Sequence, residues 1–260
     1  MQLKKYLRMI LPNFILNFLD IDCKLEKFAF ANTLNVKKDI ETKYGFNGDL
    51  LDIFTKNKGQ VVYKWHHYIP IYDRHFSNLR MKKIKFLEIG VFKGGSLQIW
   101  RKYFGYDAVI YGIDIDPNCA KYNGIAGQVR VGSQNNLKFL ETVINEMGGG
   151  ADVILDDGSH QMADILKTFK FLFPKLNDGG IYVIEDLHTA YIRHYGGGYY
   201  SKSNFFKFVS ELINDMHHWY HSVDLKHPTI SSSCSSIHIY DSIVVFEKSV
   251  IHKPSHSQIS

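Results

Sequence analysis

The sequence predicts an α/β fold, a doubly wound and mostly parallel sheet that closes on an antiparallel hairpin. Three observations predict it. Short apolar runs alternate with longer helical patterns through the middle of the chain, four of those runs end on or lead into an acidic residue or a glycine, and the last two runs are separated by a two-residue turn. Alternation of this kind is the mark of parallel βαβ units. In such sheets the carboxyl ends of the strands form the ligand crevice, so polar residues placed there are candidates for function.

The elements follow in order. The opening stretch MQLKKYLRMILPNFILNFLD is apolar but interrupted by Arg8, Pro12, Asn13 and Asn17, and no small-residue cleavage site follows it. It is too broken to span a bilayer. An amphipathic helix packed on the domain or a partner is expected, with peripheral contact to a membrane surface as the alternative. Residues 1–80 read as a helical N-terminal extension or lid, with charge runs at Lys24–Lys27 and Lys37–Lys43. The aromatic stretch from Lys64 through Trp65, His66, His67 and Tyr68 to Tyr72 either lids a ligand or packs on the sheet.

Residues 81–250 carry the predicted strands: Ile84–Ile89, Val109–Asp114, Gln128–Val131, Asp152–Asp156 and Ile181–Glu185, then Ser236–Tyr240 and Ile243–Phe246 about the Asp241-Ser242 turn. The glycine run Tyr195–Tyr200 is expected to be a mobile loop over the site. Residues 251–260 are a polar tail.

Composition narrows the class. With 260 residues, 45% of them apolar and 22% charged, the chain suits one substantial core with a modest appendage. A net charge of +5 is a mild basic bias, and the basic residues do not concentrate on one predicted surface, so no nucleic-acid partner is expected. Cys23, Cys119 and Cys234 are far apart and in no CxxC spacing, which points away from a disulfide framework or a cysteine zinc site and fits a reducing cytoplasm.

The segment Glu88-Ile89-Gly90-Val91-Phe92-Lys93-Gly94-Gly95-Ser96 closes the first strand and opens a helix. Its glycines allow a sharp turn and close approach of a ligand, although such a turn also arises for structural reasons. Its spacing is not the G-x-G-x-x-G of dinucleotide sites. Asp114 ends the second strand 26 residues after Glu88, where a carboxylate can accept the hydroxyls of a ribose, and Asp116 is the backup. After the third strand, Ser133 and Gln134 either face an adenine edge or make a plain turn.

The sharpest signal is ILDDGSH followed by VIEDLH, with Asp157 and Glu185 28 residues apart. One strand–helix–strand unit of that length brings Asp157, Glu185 and Asp186 together. Three carboxylates repel one another unless a hard divalent cation such as Mg²⁺ or Mn²⁺ sits between them, or unless they pair with Lys and Arg. His160, three residues past Asp157, can take the proton from a hydroxyl in the same crevice. His188 and Tyr191 are lesser candidates for an acceptor pocket, and His188 equally a partner behind the metal.

With these residues in view, the chain resembles the metal-dependent sugar O-methyltransferases of macrolide biosynthesis, over about residues 55–248. The resemblance rests on His67-Tyr68 with Tyr72, FLEIGVFKGGSLQIW, YGIDIDP, ILDDGSH and LFPKLNDGGIYVIEDLHTAY. It implies a seven-stranded, Rossmann-like class I methyltransferase sheet, with S-adenosyl-L-methionine as methyl donor and Mg²⁺ as metal. It implies Asp157, Glu185 and Asp186 as metal ligands and His160 as general base. Glu88, Gly90, Ser96, Asp114, Asp116, Ser133, Gln134 and Asp156 become the candidate donor set, and His67, Tyr68, His188 and Tyr191 the candidate acceptor pocket. The activity expected is methylation of a hydroxyl on a saccharide or glycosylated small molecule, by a cytoplasmic homo-oligomer, in a setting such as polysaccharide biosynthesis. Cephalosporin hydroxylase-type proteins share much of the pattern. A hydroxylase on the same scaffold, or a non-catalytic S-adenosylmethionine-binding module, is therefore the alternative.

Overall fold

Seven runs rich in β-branched and aromatic residues pair into a single sheet: β1 (Lys85–Ile89), β2 (Val109–Asp114), β3 (Gln128–Val131), β4 (Ala151–Asp156), β5 (Leu176–Ile184), β6 (Cys234–Tyr240) and β7 (Ile243–Lys248). The order across the sheet is β3-β2-β1-β4-β5-β7-β6. β1 to β5 run parallel, and β7 returns antiparallel between β5 and β6. This computed structural model describes residues 35–259, with Leu7 and residues 10–12 and 15–16. Most of the expected N-terminal helix, Cys23 and the charge run Lys24–Lys27 lie outside the described residues. No helix among the described residues is long and apolar enough to cross a membrane.

The central strands are buried on both faces, which is why they read as continuous apolar runs rather than as alternating ones. One face packs against α5 (Leu137–Glu146), α6 (Met162–Leu172) and α7 (Phe205–Met216) through Leu140, Val143, Ile165, Phe169, Phe205 and Val209. The other is covered by α1 (Val36–Tyr44), α2 (Asp49–Thr55), α3 (Tyr68–Phe76) and α4 (Gly95–Phe104). On α3, Tyr68, Ile69, Tyr72 and Phe76 share one buried face, and Tyr72 meets Trp100 of α4 edge-on at 5.2 Å. The helices of residues 36–76 thus share the core of the sheet, and residues 251–259 have no regular structure.

Strand positions match the expected runs within about two residues, except at β5, which starts at Leu176 rather than Ile181. Register slips there: Ala151 pairs with Leu176 but Val153 pairs with Ile181, so the intervening residues bulge out. Asn177-Asp178-Gly179-Gly180 is polar and glycine-rich, which reads as a turn although it is a bulge inside a strand. The run Tyr195–Tyr200 also differs from the open loop expected. Gly197 and Gly198 are buried, their N–H groups donate to Ile192 and Ala190 carbonyls, and Asn204 Nδ2 donates to Ala190 and Gly198 oxygens. The glycines serve close packing against the preceding turn.

Candidate active site

The order of strands reverses between β1 and β4, and the crevice opens at their carboxyl ends. The ladder continues one residue past each strand: Gly90 N–H donates to Ile113 O, Asp157 N–H to Ile89 O and Glu185 N–H to Asp156 O. The tips of β2, β1, β4 and β5 are thereby locked side by side. A cavity of about 460 Å³ lies above them, with Gly90, Ser96, Asp114, Asp116, Ser133 and Gln134 along its wall and Asp157, His160 and Asp186 among its lining.

Gly90 has φ +98°, and a Cβ on it would lie 2.1 Å from the Asp157 carbonyl oxygen. Only glycine lets the β1 and β4 tips approach this closely. Asp114 holds the same turn: its Oδ2 accepts from the N–H groups of Val91 and Phe92, both at 2.9 Å, and its Oδ1 from Asp116 N–H at 2.8 Å. The Asp116 carboxylate caps the following turn through Asn118 N–H at 2.9 Å. Gln134 is nearly buried and bridges two loops, accepting from Ser159 N–H at 2.7 Å while its amide N–H group faces Asp156 and Thr168.

Two members of the expected donor set do not reach the cavity. Glu88 is fully buried, accepting from Ser96 Oγ–H at 2.7 Å and from Trp100 Nε1–H at 3.2 Å. Asp156 is 2% exposed, between Gln134 and the Tyr182 hydroxyl. Alternation along the strand is the reason: Glu88 shares the face of Phe86 toward α4, and Asp156 that of Ile154 toward α6. Burial pushes each carboxyl up to about 7.

The acidic cluster assembles, but with a partner that sequence reasoning passed over. Lys64, in the extended segment that leads into α3, places its Nζ 2.5 Å from Asp157 Oδ2 and 2.9 Å from both oxygens of Glu185. Burial opposes the charge on this ammonium, and the carboxylates of Asp157, Glu185 and Glu88 more than offset it, so its pKa rises. Glu185 is 1% exposed and is occupied by this contact. Asp186 takes the left-handed conformation at φ +56°, and its Oδ1 accepts from the Tyr68 hydroxyl at 2.8 Å. The remaining oxygens, Asp157 Oδ1 and Asp186 Oδ2, each lie 3.8 Å from His160 Nε2.

His160 is also left-handed, at φ +56°. The left-handed backbone at both Asp186 and His160 turns their side chains toward one point, leaving Asp186 Oδ2 3.8 Å from His160 Nε2. One oxygen each of Asp157 and Asp186 and a His160 nitrogen fall within 4.8 Å of one another, and the two carboxylate oxygens are the donors that suit a hard divalent cation. Burial and the neighbouring Asp157 carboxylate push the Glu185 carboxyl well above its usual range while Lys64 pulls the other way, and a cation beside the cluster would relieve the remaining repulsion.

The expected acceptor residues lie outside the cavity lining. Tyr68 is fully buried, and its hydroxyl braces Asp186 and Ser242 rather than opening to a ligand. His188 Nδ1 is 2.7 Å from Ser242 Oγ, and burial lowers its pKa. His67 Nε2 is 3.1 Å from the Asp241 carbonyl. Tyr191 is 40% exposed and stacks with Tyr199 and Phe206. The lining also includes Val61, Tyr63 and Cys119, which lie outside the quoted motifs, and Phe92 and Ser159, which lie inside the glycine turn and ILDDGSH but carry no chemistry that singles them out.

Comparison with known proteins gives the context. Residues 87–187 match a family described as a methyltransferase domain. The chain is 32% identical over 215 residues to the 8-demethyl-8-(2-methoxy-alpha-L-rhamnosyl)-tetracenomycin-C 3'-O-methyltransferase of Streptomyces olivaceus, covering 77% of this chain and 54% of that protein. It is 40% identical over 145 residues to the demethylmacrocin O-methyltransferase of Streptomyces fradiae, covering 52% of this chain and 36% of that one. Among solved structures, the MycE methyltransferase from the mycinamycin biosynthetic pathway, in complex with Mg and SAH, superposes with a TM-score of 0.67 at 28% identity, covering 83% of this chain and 55% of that one. The chain spans about half or less of the length of these relatives. Its sheet order and these matches give the chain the class I methyltransferase fold, with a methyltransferase domain over residues 87–187 that is similar to the sugar O-methyltransferases of the macrolide and tetracenomycin pathways.

Proposed function

We propose that this protein is an S-adenosylmethionine- and Mg²⁺-dependent O-methyltransferase acting on a hydroxyl of a saccharide or glycosylated small molecule. The observation that carries the reading is His160 Nε2 placed 3.8 Å from an oxygen of Asp157 and 3.8 Å from one of Asp186 at the lining of the cavity. Relatives named for methylation of sugar-bearing antibiotics, and a similar structure in complex with Mg, SAH and mycinamycin VI, support the acceptor class and both cofactors. The same reading makes the protein cytoplasmic and homo-oligomeric, with its opening segment available for packing or for membrane-surface contact.

S-adenosylmethionine supplies an electrophilic methyl group. Mg²⁺ held there would supply Lewis-acid chemistry, acidifying an acceptor hydroxyl that is otherwise a poor nucleophile at neutral pH. Asp157 and Asp186 would hold the ion, with the buried Glu185 behind them against Lys64. Gly90, Asp114, Asp116, Ser133, Gln134 and Ser96 line the donor side, where the Gly90 turn admits the ligand and Asp114 orients the Val91-Phe92 backbone. His160 Nε2 takes the proton from the acceptor hydroxyl as the methyl arrives.

The test is turnover with labelled donor against a panel of glycosides. His160→Ala should lower kcat by about 10²–10⁴-fold with donor binding retained. Excess chelator should abolish turnover of the wild type. Full activity in either case rules out the mechanism, and donor binding without any product favours a non-catalytic module.

A further inference from the structure

A second cluster of metal-ligating side chains lies away from the cavity, where α3 crosses the C-terminal hairpin. His75 is in the last turn of α3, His238 is on β6 and Glu247 on β7. His75 Nδ1 is 3.5 Å and His238 Nε2 3.3 Å from the same oxygen, Glu247 Oε1, and one ligand atom from each of the three residues lies within 4.8 Å of the others. His75 follows Tyr68 by seven residues, so the cluster is roughly 10 Å along the helix from the active-site end of α3.

We propose that His75, His238 and Glu247 form a transition-metal site of the zinc type, which clamps α3 to the β6–β7 hairpin. Two imidazole nitrogens and one carboxylate oxygen are a zinc ligand set rather than a magnesium one. Tetrahedral bonds of about 2.0–2.1 Å require ligand atoms about 3.3–3.4 Å apart, close to the spacing already present at both edges that meet on Glu247. Both distances are long for hydrogen bonds to a carboxylate, and His238 Nε2 also lies 3.1 Å from Ser236 Oγ, a contact that a metal on this nitrogen would replace.

The surroundings are those of a metal site. His75 Nε2 is 3.0 Å from the Tyr240 hydroxyl, so Nε2–H can donate there while Nδ1 keeps its lone pair toward Glu247. Ser236 Oγ–H donates to Glu247 Oε2 at 2.6 Å, which orients the carboxylate. Burial favours a neutral His75, the form that binds metal. Three protein ligands leave the fourth position to water. The Tyr68 hydroxyl contacts Ser242, in the hairpin turn, at 2.9 Å, so the ion would fix the far end of a helix whose near end already braces Asp186 against the same hairpin.

The experiment is Zn²⁺ titration of the tag-free full chain against a chromogenic chelator, in excess Mg²⁺ to occupy the oxygen-rich active-site cradle. One equivalent of tightly held Zn²⁺ is expected, with a rise in Tm, and Co²⁺ in its place should give the intense visible bands of four-coordination. His238→Gln and Glu247→Gln, at half-exposed positions, should each weaken Zn²⁺ binding by about 100-fold while the circular dichroism spectrum is unchanged. Zn²⁺ affinity that stays the same in both variants, or the lack of a tight equivalent in the wild type, overturns the proposal. Neither outcome touches the methyltransferase reading, which is scored on turnover.

Discussion

Lys64 Nζ lies 2.9 Å from each oxygen of Glu185, an ion pair in which the lysine side chain is 5% and the glutamate 1% exposed. Removing one partner of a buried pair is costly because the other charge stays behind, desolvated and unpaired. Lys64→Met therefore leaves Glu185 and Asp157 facing each other without an ammonium between them. The expected loss is about 3–5 kcal/mol in urea denaturation, partly restored by saturating Mg²⁺. A loss under about 1 kcal/mol would show that the carboxylates are neutral or hydrated instead.

Gly90 and Gly179 both have positive φ, +98° and +78°, but their surroundings differ. A Cβ at Gly90 collides with the Asp157 backbone at 2.1 Å, whereas at Gly179 it meets nothing within 4 Å. Gly179→Ala should cost about 1 kcal/mol of left-handed strain and leave donor binding alone. Gly90→Ala should cost clearly more and remove donor binding, because the β1 and β4 tips are pushed apart. Equilibrium denaturation and calorimetric titration with S-adenosylhomocysteine check the pair. Equal effects of the two changes would contradict the role given to Gly90.

Tyr68→Phe tests how Asp186 is held. The Tyr68 hydroxyl donates to Asp186 Oδ1 at 2.8 Å and accepts from the Asp186 N–H at 3.2 Å, which steadies a left-handed aspartate and leaves Oδ2 toward His160. Loss of such a partner behind a metal ligand weakens metal binding by about 10–100-fold. The Mg²⁺ concentration at half-maximal turnover should rise by that factor, with smaller change in the donor KM. An unchanged Mg²⁺ requirement would reduce Tyr68 to a packing residue.

The sheet was legible because strands buried on both faces must be continuous apolar runs, and those runs stop where polar residues begin. The step from Asp157 to Glu185 was legible for the same reason, since one βαβ unit fixes which strand tips become neighbours. Lys64 was not. It lies 93 residues from Asp157 and 121 from Glu185, in a segment with no regular structure, and nothing local distinguishes a buried lysine from a solvated one. Glu88 and Asp156 entered the donor set through the family resemblance, yet strand alternation turns their side chains into the helix layers. Position along a strand marks the crevice, and parity decides which residues enter it.

Glu88 carries a pH consequence. Burial raises its carboxyl from 4.5 to about 7, with Lys64, Ser96 and Trp100 pulling the other way. The unfolded chain titrates near its ordinary value, so the folded state binds the proton more tightly. The stabilising contribution is fully present below about pH 4.5 and is lost as pH rises through about 7. Glu88→Gln has no proton to lose. It should match the wild type near pH 4.5 and become relatively more stable by pH 8, with a shift of roughly 3 kcal/mol between the two ends. Urea unfolding of both proteins at several pH values in this window measures it. A stability difference that does not change with pH would mean that Glu88 stays ionised throughout, its charge balanced by Lys64.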